Sequence, residues 1–407
     1  MAVPESGYPK EGEVIHARDV GETFVGVETP RSPAPAGPWT SYTKELIRRN
    51  GEVCDALIYV DGSLDKNVPG SSFITVGSVK PTLQTLANEH HTHTPSDFTE
   101  LSDWRIRTDA SNTNDLVFED LYHDKWYLAP DPKFGNATIY GICYGNGKFV
   151  AVSAGGKIAY STDAVNWTSV ADSKFESATA LGVCYGNGKF VAVGQYGTMT
   201  YSSDAINWTK VSPKFGSSNI YGVCYGNGKY VAVGNDGKIA YSSDAINWTR
   251  VSDSKVGAST ISGVNYGNGR YVTVGRDGEI TYSSDAIDWA LVSDSKFGVS
   301  AIYGVCYGNG KYVVVGSARR IIYSSDGVTW TQVSNSTFDA SHINGVCYGN
   351  GKFVAVGNDG KIARSSNGVN WTLVTDHKFG SSSIQCICYG DGKLVAGGSD
   401  GKISYTT

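Results

Sequence analysis

The sequence predicts an all-β protein whose larger part is a seven-bladed β-propeller of four-stranded antiparallel blades. Three observations predict it. A unit of 40 or 41 residues recurs through the C-terminal two thirds of the 407-residue chain. Each unit carries Asn-Gly or Asp-Gly dipeptides between short apolar runs, the strongest local signal for a β-hairpin. Glycine and tyrosine are abundant (50 and 25 residues), and only 18% of residues are charged. Repeats of this length built from four strands are typical of propellers.

One repeat, residues 220–251, shows the four predicted strands most clearly. Period-two alternation predicts strands over Ile220–Tyr225, Lys229–Gly234, Lys238–Ser242 and Trp248–Ser252. Asn227-Gly228 and Asp236-Gly237 separate the first three, where a type I′ turn needs positive φ at both central residues. The third turn is longer and rich in Ser and Asp, which bond back to turn amides. The unit is therefore predicted to be an antiparallel meander.

Two residue series mark the repeats, and they are out of phase. The last Tyr-Gly unit has no tryptophan after it, and the first tryptophan has no Tyr-Gly unit before it. We therefore predict that the last blade takes three strands from the C-terminus and its fourth from about Trp126–Ala129, which closes the ring. The tryptophans should be structural and pack between blades. They are Trp126, Trp167, Trp208, Trp248, Trp289, Trp330 and Trp371.

The third turn resembles a known motif. Ser-Ser-Asp-Gly-Val-Thr-Trp at 324–330 is similar to the Asp-box of sialidase-like propellers, although its Asp-to-Trp spacing is one residue shorter and most copies carry Ala for Gly. The resemblance implies the architecture. The active site of that family needs three converging arginines, a tyrosine with a glutamate partner, and an acid. Because arginine is sparse in these repeats and glutamate almost missing, we expect no enzyme activity.

The region before the propeller is predicted to have three parts. Half of the prolines fall in residues 1–40, which predicts an extended arm. Residues 41–104 are predicted to form a small attachment region, with a short helix over Ser41–Arg49 that Asn50-Gly51 ends, and strands near 56–60 and 72–76. Residues 105–123 are predicted to be a connector, and 124–407 the propeller.

The attachment region contains an HxH segment. His91 and His93, within the stretch that runs to Asp97, resemble short segments of bacteriophage tail fibres and related particles. In some trimeric fibres an HxH pair from each chain encloses a metal ion. The resemblance therefore implies a homotrimer that holds iron or another divalent metal. The alternative is a solvated linker whose histidines bind nothing.

Candidate ligand-binding residues lie where the repeats differ from one another. The first and third turns are nearly constant, whereas the second turns and the connections between blades vary, so the face that carries them is the candidate binding surface. Arg319 and Arg320 replace a Gly-Lys pair, which should abandon the I′ turn, and a paired arginine cluster would suit carboxylate-bearing sugars. The candidates are Tyr196, Arg276, Arg319, Arg320, His342 and His377.

Composition limits the partners and the compartment. The net charge is −5 with no basic stripe, which argues against nucleic acid. The sequence carries neither a secretory signal nor an apolar run long enough to span a bilayer, so we expect no membrane insertion and no signal-peptide secretion. Six of the eight cysteines share one repeat position, which Asn265 occupies in another unit. They are therefore expected to be free thiols.

Together these features predict a structural or host-recognition protein of a phage or phage-like tail. Residues 1–125 would attach it to other tail or baseplate proteins, and the propeller would bind a host-surface glycan or protein. The protein would be assembled in the host cytoplasm and reside in the virion. Two alternatives remain: a glycan-cleaving, sialidase-like hydrolase, and an intracellular propeller scaffold for protein–protein interaction.

Overall fold

The computed structural model divides the chain into two compact units, Met1–Asp124 and Lys125–Thr407. In the second unit it describes residues 125–334, 336–339, 341–374 and 378–406. In the first unit it describes only the backbone of six strands, Val14–His16, Trp39–Arg49, Glu52–Asp61, Phe73–Thr75, Trp104–Thr108 and Asp115–Asp120. The described part of the chain holds no helix of the length and apolarity that crossing a membrane requires.

The first unit contains two antiparallel sheets, and one of them corrects a prediction. The sheet order is Val14–His16, Asp115–Asp120, Trp104–Thr108, Phe73–Thr75. The second sheet is a hairpin of Trp39–Arg49 and Glu52–Asp61. The helix predicted over Ser41–Arg49 is therefore wrong. Arg49 pairs with Glu52, and the sequence between these strand ends is Asn-Gly, a dipeptide that favours hairpins.

The second unit is a seven-bladed propeller, as the sequence predicts. Each blade is a four-stranded antiparallel meander. Blades 1 to 4 contain, in order, Ile139–Gly145, Lys148–Ser153, Ile158–Ser161 and Thr168–Ser169; Ala180–Gly186, Lys189–Gly194, Met199–Ser202 and Thr209–Val211; Ile220–Gly226, Lys229–Gly234, Ile239–Ser242 and Thr249–Arg250; Ile261–Gly267, Arg270–Gly275, Ile280–Ser283 and Ala290–Leu291. Blades 5 to 7 contain Ile302–Gly308, Lys311–Gly316, Ile321–Ser324 and Thr331–Gln332; Ile343–Gly349, Lys352–Gly357, Ile362–Ser365 and Thr372–Val374; Ile384–Gly390, Lys393–Gly398, Ile403–Thr406 and Trp126–Leu128.

The predicted turn chemistry is confirmed. In blade 3 the first turn has φ of 42° at Asn227 and 75° at Gly228, and the second has 57° at Asp236 and 60° at Gly237. Positive φ at both central residues is the signature of a type I′ turn. The second turns at Ala154–Gly156, Gln195–Gly197, Asn358–Gly360 and Ser399–Gly401 share this left-handed backbone, with φ of 68°, 56°, 57° and 59° at their central residues.

The ring closes through a mixed blade, as the phase offset predicts. Trp126–Leu128 pairs antiparallel with Ile403–Thr406, with Trp126 opposite Thr406. Ser404 Oγ donates to the carbonyl of Tyr127 at 2.9 Å. The rings of Tyr127 and Tyr405 stack with centroids 5.8 Å apart. Asp115–Asp120, which could have competed for this place, pairs instead within the first unit.

The core consists of one cluster at each interface between neighbouring blades. In the cluster between blades 2 and 3, Val193 and Met199 pack against Ile220, Tyr230 and Trp248. The seven tryptophans are between 1% and 6% exposed. Inside each interface the tyrosine of one blade covers a glycine of the blade before it. A Cβ on that glycine would overlap the ring, which explains the constant Tyr-Gly pair. The pairs are Gly145 with Tyr185, Gly186 with Tyr225, Gly226 with Tyr266, Gly267 with Tyr307, Gly308 with Tyr348, Gly349 with Tyr389, and Gly390 with Tyr144.

Candidate functional site

Contacts between blades show which turns share a face. Lys229, at the end of the first turn of blade 3, donates to the carbonyl of Asp285 in the third turn of blade 4 at 2.7 Å. The backbone N–H of Asn235, in the second turn of blade 3, donates to the carbonyl of Asn219 in the preceding connection at 3.0 Å. The constant turns therefore lie on one face of the propeller. The variable turns and connections lie on the opposite face, which we call the variable face.

The constant third turns are explained by their own hydrogen bonds. In blade 3, Asp244 Oδ1 accepts from the N–H groups of Ile246 and Asn247 at 2.9 and 2.7 Å. Trp248 Nε1 donates to the carbonyl of Ala245 at 3.0 Å, and Ala245 has a φ of 67°. The left-handed backbone at this position explains why other copies carry glycine there. The Asp-box-like turn thus anchors the tryptophan, and its recurrence needs no ligand.

Every first strand contains a β-bulge near its start on the variable face. In blade 3 the register shifts between Ile220 and Gly222, so Tyr221 is the extra residue. A bulge redirects a side chain away from the regular alternation of the strand. The equivalent bulged residues differ from blade to blade: Tyr140, Leu181, Tyr221, Ser262, Tyr303, Asn344 and Gln385. Sequence reasoning missed this position. Its variation between copies was the available signal.

Two predicted residues, Tyr196 of blade 2 and Arg276 of blade 4, are joined through blade 3. The N–H of Tyr196 donates to Asn219 Oδ1 at 3.1 Å. The amide of Asn219 donates to the hydroxyl of Tyr221 at 3.4 Å. The guanidinium of Arg276 lies 5.3 Å from the centroid of the Tyr221 ring, within cation–π distance. We call Tyr196, Asn219, Tyr221 and Arg276 the arc.

The outward end of the arc is a strained turn. Tyr196 is 70% exposed, and its backbone is left-handed with φ 56°. Asp236 and Gly155 hold the same position in neighbouring blades. A bulky residue in this conformation costs about 1–2 kcal/mol relative to glycine. The fold therefore holds a large aromatic ring in solvent at a position that favours a smaller residue.

Blade 4 differs from the other blades beside Arg276. Only Gly278 of its central Asp-Gly pair has positive φ, 80°, which is typical of a type II turn. Glu279 replaces the lysine found in blade 3 as Lys238. Ser259 Oγ lies 2.8 Å from Asp277 Oδ2 and 2.7 Å from Glu279 Oε1. Two carboxylates thus accompany the single cation at this end of the arc.

The expectation for Arg319 and Arg320 needs correction. The turn is kept, because Ala318 and Arg319 have φ of 53° and 55° and the N–H of Arg320 donates to the carbonyl of Ser317 at 3.2 Å. The guanidinium of Arg320 donates to the carbonyl of Phe297. Lys238 Nζ makes the equivalent bond in its own blade. Arg320 therefore has this structural contact, whereas Arg319 is exposed and lies close enough to Asp339 to help lower its pKa, after Lys361.

His342 contacts another bulged tyrosine. Its ring meets Tyr303 edge-on with centroids 5.9 Å apart, and it is exposed. Nearby, Asn344 Nδ2 donates to Asn358 Oδ1 at 2.9 Å. These residues are joined to the arc by no contact that the structure describes. His91, His93 and His377 lie outside the described residues, so the metal and trimer predictions remain untested.

The cysteines of the propeller are poorly suited to binding a metal ion. The described cysteines are free, and burial raises the pKa of their thiols, to about 12 for Cys347 and Cys386. A buried thiol with a raised pKa is a poor metal ligand and a poor nucleophile. Within the described ranges no three His, Cys, Asp or Glu side chains are grouped so that they could hold a metal ion.

Comparisons with known proteins agree with the fold. Residues 305–407, from the first strand of blade 5 to the end, match the family described as the DUF6242 beta propeller domain. No curated protein matches the chain. Among solved structures, YCF48 from Cyanidioschyzon merolae is 15% identical with a TM-score of 0.55, over 69% of this chain and 98% of that one. YCF48 bound to D1 peptide is 15% identical with a TM-score of 0.57, over 70% and 97%. Virginiamycin B lyase from Staphylococcus aureus is 15% identical with a TM-score of 0.59, over 70% and 100%. At such identities the likeness establishes a β-propeller and leaves the ligand open.

Proposed function

We propose that the propeller is a non-catalytic binding domain and that its variable face recognises a glycan or a protein on another surface. One observation carries the proposal: the arc. Tyr196 and Arg276 differ from their counterparts in every other blade, and contacts through Asn219 and Tyr221 link them into one surface across three blades. Repeat drift on a solvated face would scatter such departures instead of connecting them.

The chemistry of the arc favours binding over turnover. Its side chains provide an exposed aromatic ring, a phenol, an amide and a guanidinium, which stack and form hydrogen bonds. None of the four is a carboxylate or an imidazole, the groups that usually exchange protons in glycoside hydrolysis. The two carboxylates beside Arg276, those of Asp277 and Glu279, both lie within hydrogen-bond distance of Ser259 Oγ. The structural neighbour YCF48 is known bound to D1 peptide, so a propeller of this kind can serve as a binding domain.

The more specific form of this proposal is a receptor-binding protein of a phage or phage-like tail. Residues 1–125 would attach it to tail or baseplate proteins, as a trimer if His91 and His93 share a metal ion. The protein would then reside in the virion. Sequence supports this form through the HxH segment and the proline-rich arm. The hydrolase and the intracellular scaffold are its alternatives.

A binding screen with the 407-residue chain tests the proposal. The wild type and a Tyr196→Ala/Arg276→Ala variant would be applied to arrays of bacterial surface polysaccharides and to immobilised surface proteins. We expect the wild type to retain at least one ligand and the variant to lose it, with equal thermal transitions for both. Tyr140→Ala is the matched control, because Tyr140 is a partly exposed bulged tyrosine of blade 1, outside the arc. A wild type that binds nothing, or a variant that binds equally well, refutes the role of the arc.

Turnover and stoichiometry are measured on the same samples. Release of reducing ends from any bound polysaccharide would establish the hydrolase instead. Mass photometry of the full chain would show whether it forms a trimer, and a monomer would refute the trimeric attachment while leaving the binding role intact.

A further inference from the structure

The arc has the properties of a surface for uncharged sugar chains. We propose, building on the binding role above, that it recognises a neutral polysaccharide, with Tyr196 as the stacking platform and Arg276 as a fixed donor. Tyr196, at the outer end of the arc, is 70% exposed. The apolar face of a pyranose ring stacks on such an aromatic ring, which keeps its polar edge in water.

The turn that presents Tyr196 is fixed before any ligand arrives. Its N–H is held by Asn219 Oδ1 at 3.1 Å, and the N–H of Thr198 closes the turn on the carbonyl of Gln195 at 3.0 Å. A side chain with two χ angles on a fixed backbone loses little entropy on binding. This preorganisation gives the strained conformation of Tyr196 a physical reason.

Arg276 makes a cation–π contact, and among the described residues its guanidinium forms no ion pair. Its guanidinium lies over the Tyr221 ring at 5.3 Å. A cation–π contact uses none of the five guanidinium N–H donors in a hydrogen bond, so they stay available for acceptors. Tyr221 is held in turn by the amide of Asn219 at 3.4 Å. One end of the arc therefore offers donors in a defined orientation, suited to the hydroxyl and ring oxygens of a sugar.

The charges beside the arc decide between a neutral and an anionic ligand. Arg276 contributes one positive charge, and Asp277 and Glu279 contribute two negative charges in the same turn. The lysine that balances the turn of blade 3, Lys238, is replaced by Glu279. An anionic sugar would thus approach two carboxylates to reach one guanidinium, whereas a hydroxylated neutral sugar finds both donors and acceptors. Arg320 keeps its positive charge, but it lies in the second turn of the next blade and its guanidinium donates to the Phe297 carbonyl.

Saturation-transfer NMR with the full chain tests this inference. The probes are maltoheptaose, cellohexaose and mannohexaose as neutral chains, and a hexameric oligogalacturonate as the acidic chain. We expect at least one neutral probe to bind, with an affinity that changes less than twofold between 50 and 500 mM NaCl, because screening weakens only charged contacts. Oligogalacturonate should not compete.

Substitutions of Tyr196 and Arg276 test whether the neutral probe binds at the arc. Tyr196→Ala should weaken binding of the neutral probe at least tenfold, whereas Tyr196→Phe should keep it within twofold because the stacking face remains. Arg276→Met should weaken it about tenfold, while Arg250→Met, an exposed arginine on the outer strand of the same propeller, should leave it unchanged. Equal thermal transitions for all variants exclude misfolding as the cause.

Each contrary outcome is decisive. Preferential binding of oligogalacturonate, a steep loss of affinity with salt, or an unaffected Tyr196→Ala variant overturns the neutral-sugar inference. If no neutral probe binds but the screen finds a protein ligand that depends on the arc, the binding role stands and the sugar class is wrong. If neither finds an arc-dependent ligand, both fall.

Discussion

In blade 7 the larger residue of one cross-strand pair lies on the first strand, whereas in the other blades it lies on the second strand. This difference gives a quantitative prediction. In the other blades, the third residue of the first strand is glycine and its partner is valine, as in Gly222 opposite Val233. In blade 7 the pair is Cys386 opposite Gly397. A Cβ on Gly397 would lie 3.1 Å from Cys386 Sγ and 2.8 Å from Ile139 Cγ2. One space thus holds one side chain, supplied by either strand.

The magnitudes follow from that shared space. Gly397→Val puts a second side chain into it, and overpacking of this kind costs about 1–3 kcal/mol. Cys386→Gly removes a side chain that is 8% exposed, with an expected cost of about 1–2 kcal/mol from lost burial and added chain entropy. The double variant rebuilds the arrangement of Gly222 and Val233. It should recover most of the loss once Ile139 shifts, with an interaction energy of about 1–3 kcal/mol.

Urea unfolding of the four proteins measures this interaction. Tryptophan fluorescence is a suitable signal, since seven of the nine tryptophans lie in the propeller core. Gly345→Cys in blade 6, with Val356 left in place, is the matched control, because it adds the same thiol without removing the valine. If the two single changes in blade 7 add within about 0.5 kcal/mol, the residues do not share a space and the reasoning is refuted.

Three further predictions concern the ring, the acid range and the arc. Gly390→Ala should lower the free energy of unfolding by about 1–3 kcal/mol, because its Cβ would overlap the ring of Tyr144 at the seam, as urea unfolding would show. Burial raises the pKa of Asp326, but hydrogen bonds from its own turn outweigh this and lower it to about 2. Asp326→Asn, which copies the natural Asn367 of blade 6, should therefore lose less stability between pH 4 and pH 2, followed by thermal melts. Tyr196→Asn should raise the free energy of unfolding by up to about 1 kcal/mol while abolishing ligand binding, because asparagine tolerates left-handed backbone better.

Each of these has an internal check. A Cβ at Gly392, in the first turn of blade 7, meets no neighbouring atom, so Gly392→Ala should show only the cost of its positive φ of 74°. If crowding causes the loss at Gly390, Gly392→Ala should destabilise the protein less than Gly390→Ala does. The acid prediction has a definite sign: a carboxyl whose pKa is depressed on folding stabilises the protein above its unfolded pKa and loses that contribution as the pH falls. A variant at Asp326 that is more acid-sensitive than the wild type contradicts it. If Tyr196→Asn lowers the free energy of unfolding instead, the Tyr196 ring stabilises the fold by packing, which contradicts the prediction.

The fold could be predicted because its determinants are local and repeated. The Asn-Gly and Asp-Gly dipeptides predicted the positions of the hairpin turns, and the tryptophan spacing predicted the length of one blade. The offset at Trp126 indicated the mixed blade. The reason for Gly226 could not be found in this way, because the ring that covers it belongs to Tyr266, a full repeat away. Asn50-Gly51 was ambiguous, since the same dipeptide ends helices and turns hairpins.

The candidate site was only half visible in the sequence. Tyr196 and Arg276 stood out because they lie in second turns, where the repeats differ from one another. Tyr221 did not, because the bulge that redirects it is a backbone irregularity inside a strand whose pattern looks regular. Arg320 shows the opposite error: an unusual residue that makes the same backbone contact as the lysine it replaces. Unusual identity marks a candidate, and only the contacts separate function from substitution.

The mixed blade also sets an order of events during synthesis. Tyr127 and Ser404 are hydrogen-bonded across 277 residues of chain. At about 5–20 residues per second, the strand that begins at Trp126 leaves the ribosome roughly 15–55 s before its partner exists. During that time six blades can form in sequence, while Trp126 has no sheet to enter. Ring closure must therefore wait for Ile403–Thr406 to be synthesised, so a chain cut short before this strand would keep six blades yet could not complete the circle.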